Sequence, residues 1–182
     1  SYQIELAKCL APNFAAFINF SSDHLQRHGG LGGYFYAKAR LFLENLTDVS
    51  VINIDTAEGL FLFQRLNTVE NKIIAISSKL NIKNYLWAVG LKGSFITEWK
   101  KGRQVYSFDL RKLGKSFHGL WESVLTVYAL ARSFGIAPKS ILKKCSGFVP
   151  LAHRNQWVDE IKGVAFINCL LYTSDAADES TC

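Results

Sequence analysis

The chain has no methionine, three prolines, four cysteines, and no apolar run long enough to cross a bilayer. Each shortage closes off a class of protein. Without an initiator Met, and with Ser1-Tyr2-Gln3-Ile4-Glu5-Leu6 already in an amphipathic pattern, the sequence is expected to be a piece of a longer protein. Cys9, Cys145, Cys169 and Cys182 form no CxxC pair and no metal-ligand spacing, which excludes a zinc finger and a dithiol redox motif and suits free thiols in a reducing cytosol. The longest apolar stretches, Phe14 to Phe20 and Val124 to Ala131, are of core length, and no signal peptide opens the chain. Neither an internal repeat nor a low-complexity segment occurs. The last fourteen residues hold three acids and no base.

What is present is a hydrophobic content of 49% and an aromatic content of 13% of the chain, which specify a packed globular fold. All 21 Lys and Arg fall within residues 1–168 beside 12 of the 15 acids, so that body carries +9. Such a charge suits an anionic ligand such as a nucleotide and is compatible with nucleic acid.

Periodicity predicts an alternation of strands and helices. A helix end at residues 1–10 precedes a strand from Phe14 to Phe20; a helix from about Tyr34 to Asn45 leads to a second strand, Val49 to Asp55. Helix Ala57 to Leu66 and strand Lys72 to Ile76 continue the pattern. This is the signature of βαβ units in a parallel sheet. Tyr85 to Val89, Ser94 to Trp99 and Arg103 to Phe108 then alternate as an antiparallel meander, whose basic tip at Lys100, Lys101 and Arg103 reads as solvated. Trp121, Val124, Leu125, Tyr128 and Ala131 repeat at helical spacing up to a stop at Gly135, a short helix opens at Pro138, and Trp157 to Ile161 and Val164 to Asn168 close the chain as strands. The expected fold is α/β, a mostly parallel sheet flanked by helices with a small appended antiparallel sheet.

The densest chemistry lies between Ile18 and Phe42. The first strand stops at Ser21-Ser22-Asp23-His24, and in open α/β sheets ligands sit at such carboxyl ends. Lys38 follows on a helix whose Tyr34 lies one turn earlier. Taken alone, Asp23 and His24 are as compatible with a helix cap and a satisfied polar residue as with a site, and Lys38 with a solvated side chain.

Several motifs recur along residues 1–168: SYQ-x-E at Ser1 to Glu5, N-x-S-x-DHL-x-RHG at Asn19 to Gly29, and Y-x-x-AK-x-R at Tyr34 to Arg40. VINID at Val51 to Asp55, the helix end at Gly135-Ile136, and F-x-x-L-x-HR at Phe148 to Arg154 complete the set. In this order they resemble the central, ATP-binding domain of the Mur ligases, within them the members that add D-glutamate. The resemblance implies that residues 1–162 are part of that domain and 163–168 the start of the next. It also implies a cytoplasmic, monomeric parent enzyme of peptidoglycan synthesis, with no membrane or nucleic-acid partner, that uses ATP and Mg²⁺ to join D-glutamate to UDP-N-acetylmuramoyl-L-alanine through an acyl phosphate.

The same resemblance assigns roles. His24 would ligate a Mg²⁺, and Lys38 would be carbamylated to support the same metal, since a carbamate replaces a repelling ammonium with hard oxygen ligands. Gln3 would hydrogen-bond the UDP-linked substrate, and Arg154, with His153 beside it, would contact nucleotide phosphates. The sequence departs from the pattern at Phe117 to Ser123, where the family's His-Asn-x-x-Asn is replaced and neither Asn remains; Gln26, Pro150 and Gln156 also differ. A phosphate-binding loop and a D-glutamate-binding domain would lie outside the chain, so the fragment alone is expected to be inactive. The competing reading is a non-catalytic module that binds a nucleotide or nucleic acid. Residues 169–182 are expected to be a non-native tail, because CLLYTSDAADE has the form of a translated sequencing adapter.

Overall fold

A computed structural model of the chain describes residues 2–7, 9–21, 25–44, 47–66, 72–113, 117, 120–149, 151 and 156–168. The elements in order are α1 (Tyr2–Leu6), β1 (Phe14–Phe17), α2 (Leu31–Leu43), β2 (Val49–Asn53), α3 (Ala57–Leu66), β3 (Lys72–Ser77), β4 (Trp87–Lys92), β5 (Phe95–Lys100) and β6 (Arg103–Asp109). A 3-10 turn at Leu110–Leu113, α4 (Trp121–Ser133), α5 (Pro138–Cys145), β7 (Gln156–Ile161) and β8 (Val164–Asn168) follow. His24, His153, Arg154 and the tail from 169 lie outside the described residues.

The first six strands form one sheet in sequence order. β1 to β4 run parallel, and β5 and β6 return antiparallel. The mostly parallel α/β expectation is met, and the meander proves to be the sheet's own extension, because β4 pairs in parallel with β3. The link between those two strands is only residues 78–86, without a helix, and Ile82 plugs it into the core against Gly90. The separate antiparallel pair is β7 with β8, joined by a turn at Lys162-Gly163.

Every residue of β2 is buried, as an interior parallel strand covered on both faces must be. Its alternating side chains feed two cores: Val49 and Val51 join α4 and α5 on one face, and Ile52 joins α2 and α3 on the other. α4 ends as the sequence predicts: Ile136 N–H donates to Ala131 O at 3.1 Å and Gly135 N–H to Arg132 O at 3.0 Å, the paired bonds of a Schellman motif.

α1 and β4 differ from expectation by a few residues, and two further boundaries differ at the strand exit. β1 stops at Phe17 rather than Phe20, because the Ile18 carbonyl is taken by the Asn53 side-chain amide at 2.7 Å instead of a ladder partner. α2 begins three residues early, with Gly32 and Gly33 inside its first turn. α3 starts so close to the end of β2 that a Cβ on Gly59 would overlap the Asn53 carbonyl oxygen. Gly59→Ala must therefore push strand and helix apart and should destabilise the fold by about 2 kcal/mol or more, against the slight gain in helix propensity that Ala brings. Urea denaturation of the two proteins measures the difference.

Candidate functional site

α2 descends from the carboxyl end of β1, and helical side chains lean toward the helix N-terminus. Lys38, in the third turn, therefore reaches back toward that edge. Its Nζ lies 4.7 Å from the Tyr34 ring centroid and 5.8 Å from that of Phe20, three residues beyond β1. Phe20 and Tyr34 are themselves 5.2 Å apart, so the half-buried lysine is held by an aromatic pair where the strand exits. His24 lies outside the described residues. Among the described residues no three His, Cys, Asp or Glu converge, and the rings around Lys38 are not metal ligands. The described residues alone make no cation site.

Three of the quoted motifs meet beside this lysine in a way their spacing did not reveal. Glu5 Oε2, on α1, lies 3.5 Å from His28 Nδ1 and 3.9 Å from Arg27 Nε. Arg40 donates to the Ala7 carbonyl at 2.7 Å, while its buried Nε faces Glu44 Oε2 at 3.6 Å, beyond hydrogen-bond reach. Glu5, Arg27, His28 and Arg40, together with Tyr36 and Gly33, line a cavity of about 350 Å³. Gly33 is required there, since a Cβ would collide with the His28 backbone carbonyl. The result is a brace. It ties α1, which carries the exposed Gln3, to the loop after the strand exit and to the helix that carries Lys38.

At the carboxyl ends of β2 and β3, Asp55 accepts hydrogen bonds from the hydroxyl of Ser77 and from both the backbone N–H and hydroxyl of Ser78, the latter two at 2.8 Å. This fixes the edge of the sheet on which a ligand would rest. Asp55 closes the VINID motif, but its serine partners lie more than twenty residues away and carried no local signal.

Two strands across the sheet from Ser77, Glu98 is wholly buried on β5 and fully engaged. It accepts from Tyr128 OH at 2.9 Å, Arg132 Nε at 2.8 Å, Arg132 NH2 at 3.3 Å and Trp87 Nε1 at 3.1 Å. The hydrogen bond to Glu98 holds the Arg132 guanidinium above its usual range, and burial, with the Glu98 charge, pushes the Tyr128 phenol up as well. This network pins α4 across the sheet.

The sequence profile of the Mur ligase middle domain matches residues 2–116. The chain belongs to the Mur ligase family. Two UDP-N-acetylmuramoylalanine--D-glutamate ligases, from Cereibacter sphaeroides and Roseobacter denitrificans, are 42% and 41% identical to it over 92% of its length. The chain spans 37% of the length of each. Among solved structures, a UDP-N-acetylmuramoyl-L-alanyl-D-glutamate--2,6-diaminopimelate ligase superposes with a TM-score of 0.63 at 21% identity, over 88% of this chain and 33% of that one. A UDP-N-acetylmuramate-alanine ligase from Thermotoga maritima gives 0.60 at 18%, over 93% and 37%. At those identities the structural matches establish the family's fold. No helix among the described residues is long and apolar enough to cross a membrane.

Glu98→Ala would leave Arg132 as a largely buried unpaired cation and Tyr128 without its acceptor, a loss expected to cost about 3–5 kcal/mol. Chemical denaturation reads it directly. The raised Tyr128 phenol gives a second signature: the group favours the folded state below the ordinary phenol range, and that contribution is lost as pH rises through the higher folded value. Stability measured from pH 8 to 11 should fall faster in the parent sequence than in Tyr128→Phe.

Proposed function

We propose that the chain is the middle part of an ATP-dependent amide ligase that adds D-glutamate to UDP-N-acetylmuramoyl-L-alanine in the synthesis of peptidoglycan precursors. The observation that carries this reading is the 42% identity, across nearly the whole chain, to enzymes named for that reaction. In the proposed reaction the alanine carboxylate of the UDP-linked substrate attacks the γ-phosphorus of ATP and ADP leaves. The amine of D-glutamate then attacks the acyl phosphate, phosphate departs with its bonding pair, and the amine gives up a proton as the amide forms. Such chemistry is dominated by positioning and by neutralising negative charge.

In this proposal His24 and a carbamylated Lys38 hold a Mg²⁺, which when bound would offset charge on the transferring phosphoryl group. The chain's own contribution is to aim Lys38. The Phe20–Tyr34 pair supports that role, because it braces the side chain toward the strand exit. Gln3 would meet the UDP-linked substrate from α1, held in register by the Glu5, His28 and Arg40 contacts. Arg154 and His153 would take nucleotide phosphates. We place the enzyme in the cytoplasm, where its nucleotide-linked substrate is made.

The 182 residues alone are expected to release no ADP when given ATP, Mg²⁺ and both substrates. A hybrid tests the reaction itself: residues 2–168 replace the matching segment of the Cereibacter sphaeroides ligase. The expected outcome is ADP release that requires both UDP-N-acetylmuramoyl-L-alanine and D-glutamate. A folded hybrid that releases ADP with another amino acid in preference to D-glutamate would contradict the assignment.

A further inference from the structure

One cavity among the described residues belongs to neither the strand-exit site nor the Glu98 network. It is a groove of about 730 Å³ between α4 and α5, walled by Val124, Val127 and Ala131 on one side, Ile141 and Cys145 on the other, with Phe148 at its mouth. Its lining is almost wholly apolar, yet it stands open: Val127 is 52% exposed, Phe148 50% and Ile136, also in its wall, 45%. Such a patch on a soluble domain marks a contact surface. The charge around it has one sign. Lys143 and Lys144 stand at the rim, α5 carries Lys139 as well, and neither α5 nor the described lining contains an acid.

We propose that this groove receives an amphipathic, acidic helix from the part of the ligase outside these 182 residues, making it an internal joint of the intact enzyme. Three observations select that occupant. The groove is concave and lies between two helices, the shape that accepts a helix with an apolar face rather than a flat bilayer. A second copy of the chain would set lysine rim against lysine rim if the two grooves paired symmetrically, and like charges oppose that. The D-glutamate ligases that match the chain are much longer, since it spans 37% of them, so ample polypeptide exists to cover the face. The proposal rests on family membership and not on the reaction assigned above.

Cys145 supplies a built-in probe, because it lines the groove, while the exposed Cys9 after α1 serves as the reference thiol. Maleimide labelling is followed residue by residue with mass spectrometry in the 182-residue chain and in the hybrid ligase. The ratio of Cys145 to Cys9 labelling is expected to fall about tenfold or more in the hybrid, and Val127→Glu, at a half-exposed position, should restore it. Equal ratios in the two proteins would overturn the proposal. So would a ratio that falls with rising concentration of the isolated chain, which would mean that a second copy fills the groove. Should the hybrid not fold, hydrogen exchange on the intact Cereibacter sphaeroides ligase, compared with its own isolated middle segment, decides the matter. Protection of the outward face of its matching helix only in the intact enzyme supports the joint, and identical exchange overturns it.

Discussion

A parallel strand in mid-sheet must be covered on both faces, and β2 meets that condition at every residue. The rest of the architecture follows. One face is covered by α2 and α3, the other by α4 and α5, and α2 and α3, each joining two parallel strands, must return from the carboxyl edge of the sheet to its amino edge. Lys38 sits on the first of these returns, so its approach to the strand exit is set by the burial of Phe35, Ala39 and Phe42 on the neighbouring face of the same helix. The chemistry is thus a by-product of covering the sheet, refined by the Phe20–Tyr34 ring pair.

Burial alone leaves helices free to slide, and two polar devices remove that freedom. On one side Glu98 fixes α4 by accepting from Tyr128 and Arg132 through bonds that only one register satisfies. On the other, Arg40 and the Glu5–His28 pair fix α1 against α2. A buried carboxylate is costly to desolvate, and its worth here lies in specificity of position more than in net stability. The first device holds α4 on the sheet, and the second holds α1, which carries Gln3, beside the helix of Lys38.

Much of the fold was legible because it is written in local periodicity. The bounds of α3 and α5 coincide with those expected, and β2, β3, α4, β7 and β8 lie within two residues of them. That the meander extends the parallel sheet was expected, but the parallel pairing of its first strand with β3 was not legible, since the two are linked by nine residues without the helix that a crossover normally needs. Nor was the early start of α2, where four glycines hid a helical turn. For the site, the motifs named Lys38 and Gln3, but nothing local singled out Glu98, because Arg132 lies 34 positions away. Contacts between distant segments leave no spacing to read. His24, His153 and Arg154 lie outside the described residues, so their part in the site rests on the motifs.

In the proposed function Lys38 works chemically and not only as a packed side chain. The direct measurement is D-glutamate-dependent ADP release by the hybrid ligase bearing Lys38→Arg, with its stability recorded in parallel. Arginine keeps the charge and the length but cannot form a carbamate, so release should fall about 100-fold or more while the unfolding midpoint barely moves. Undiminished release from the arginine variant would contradict the account.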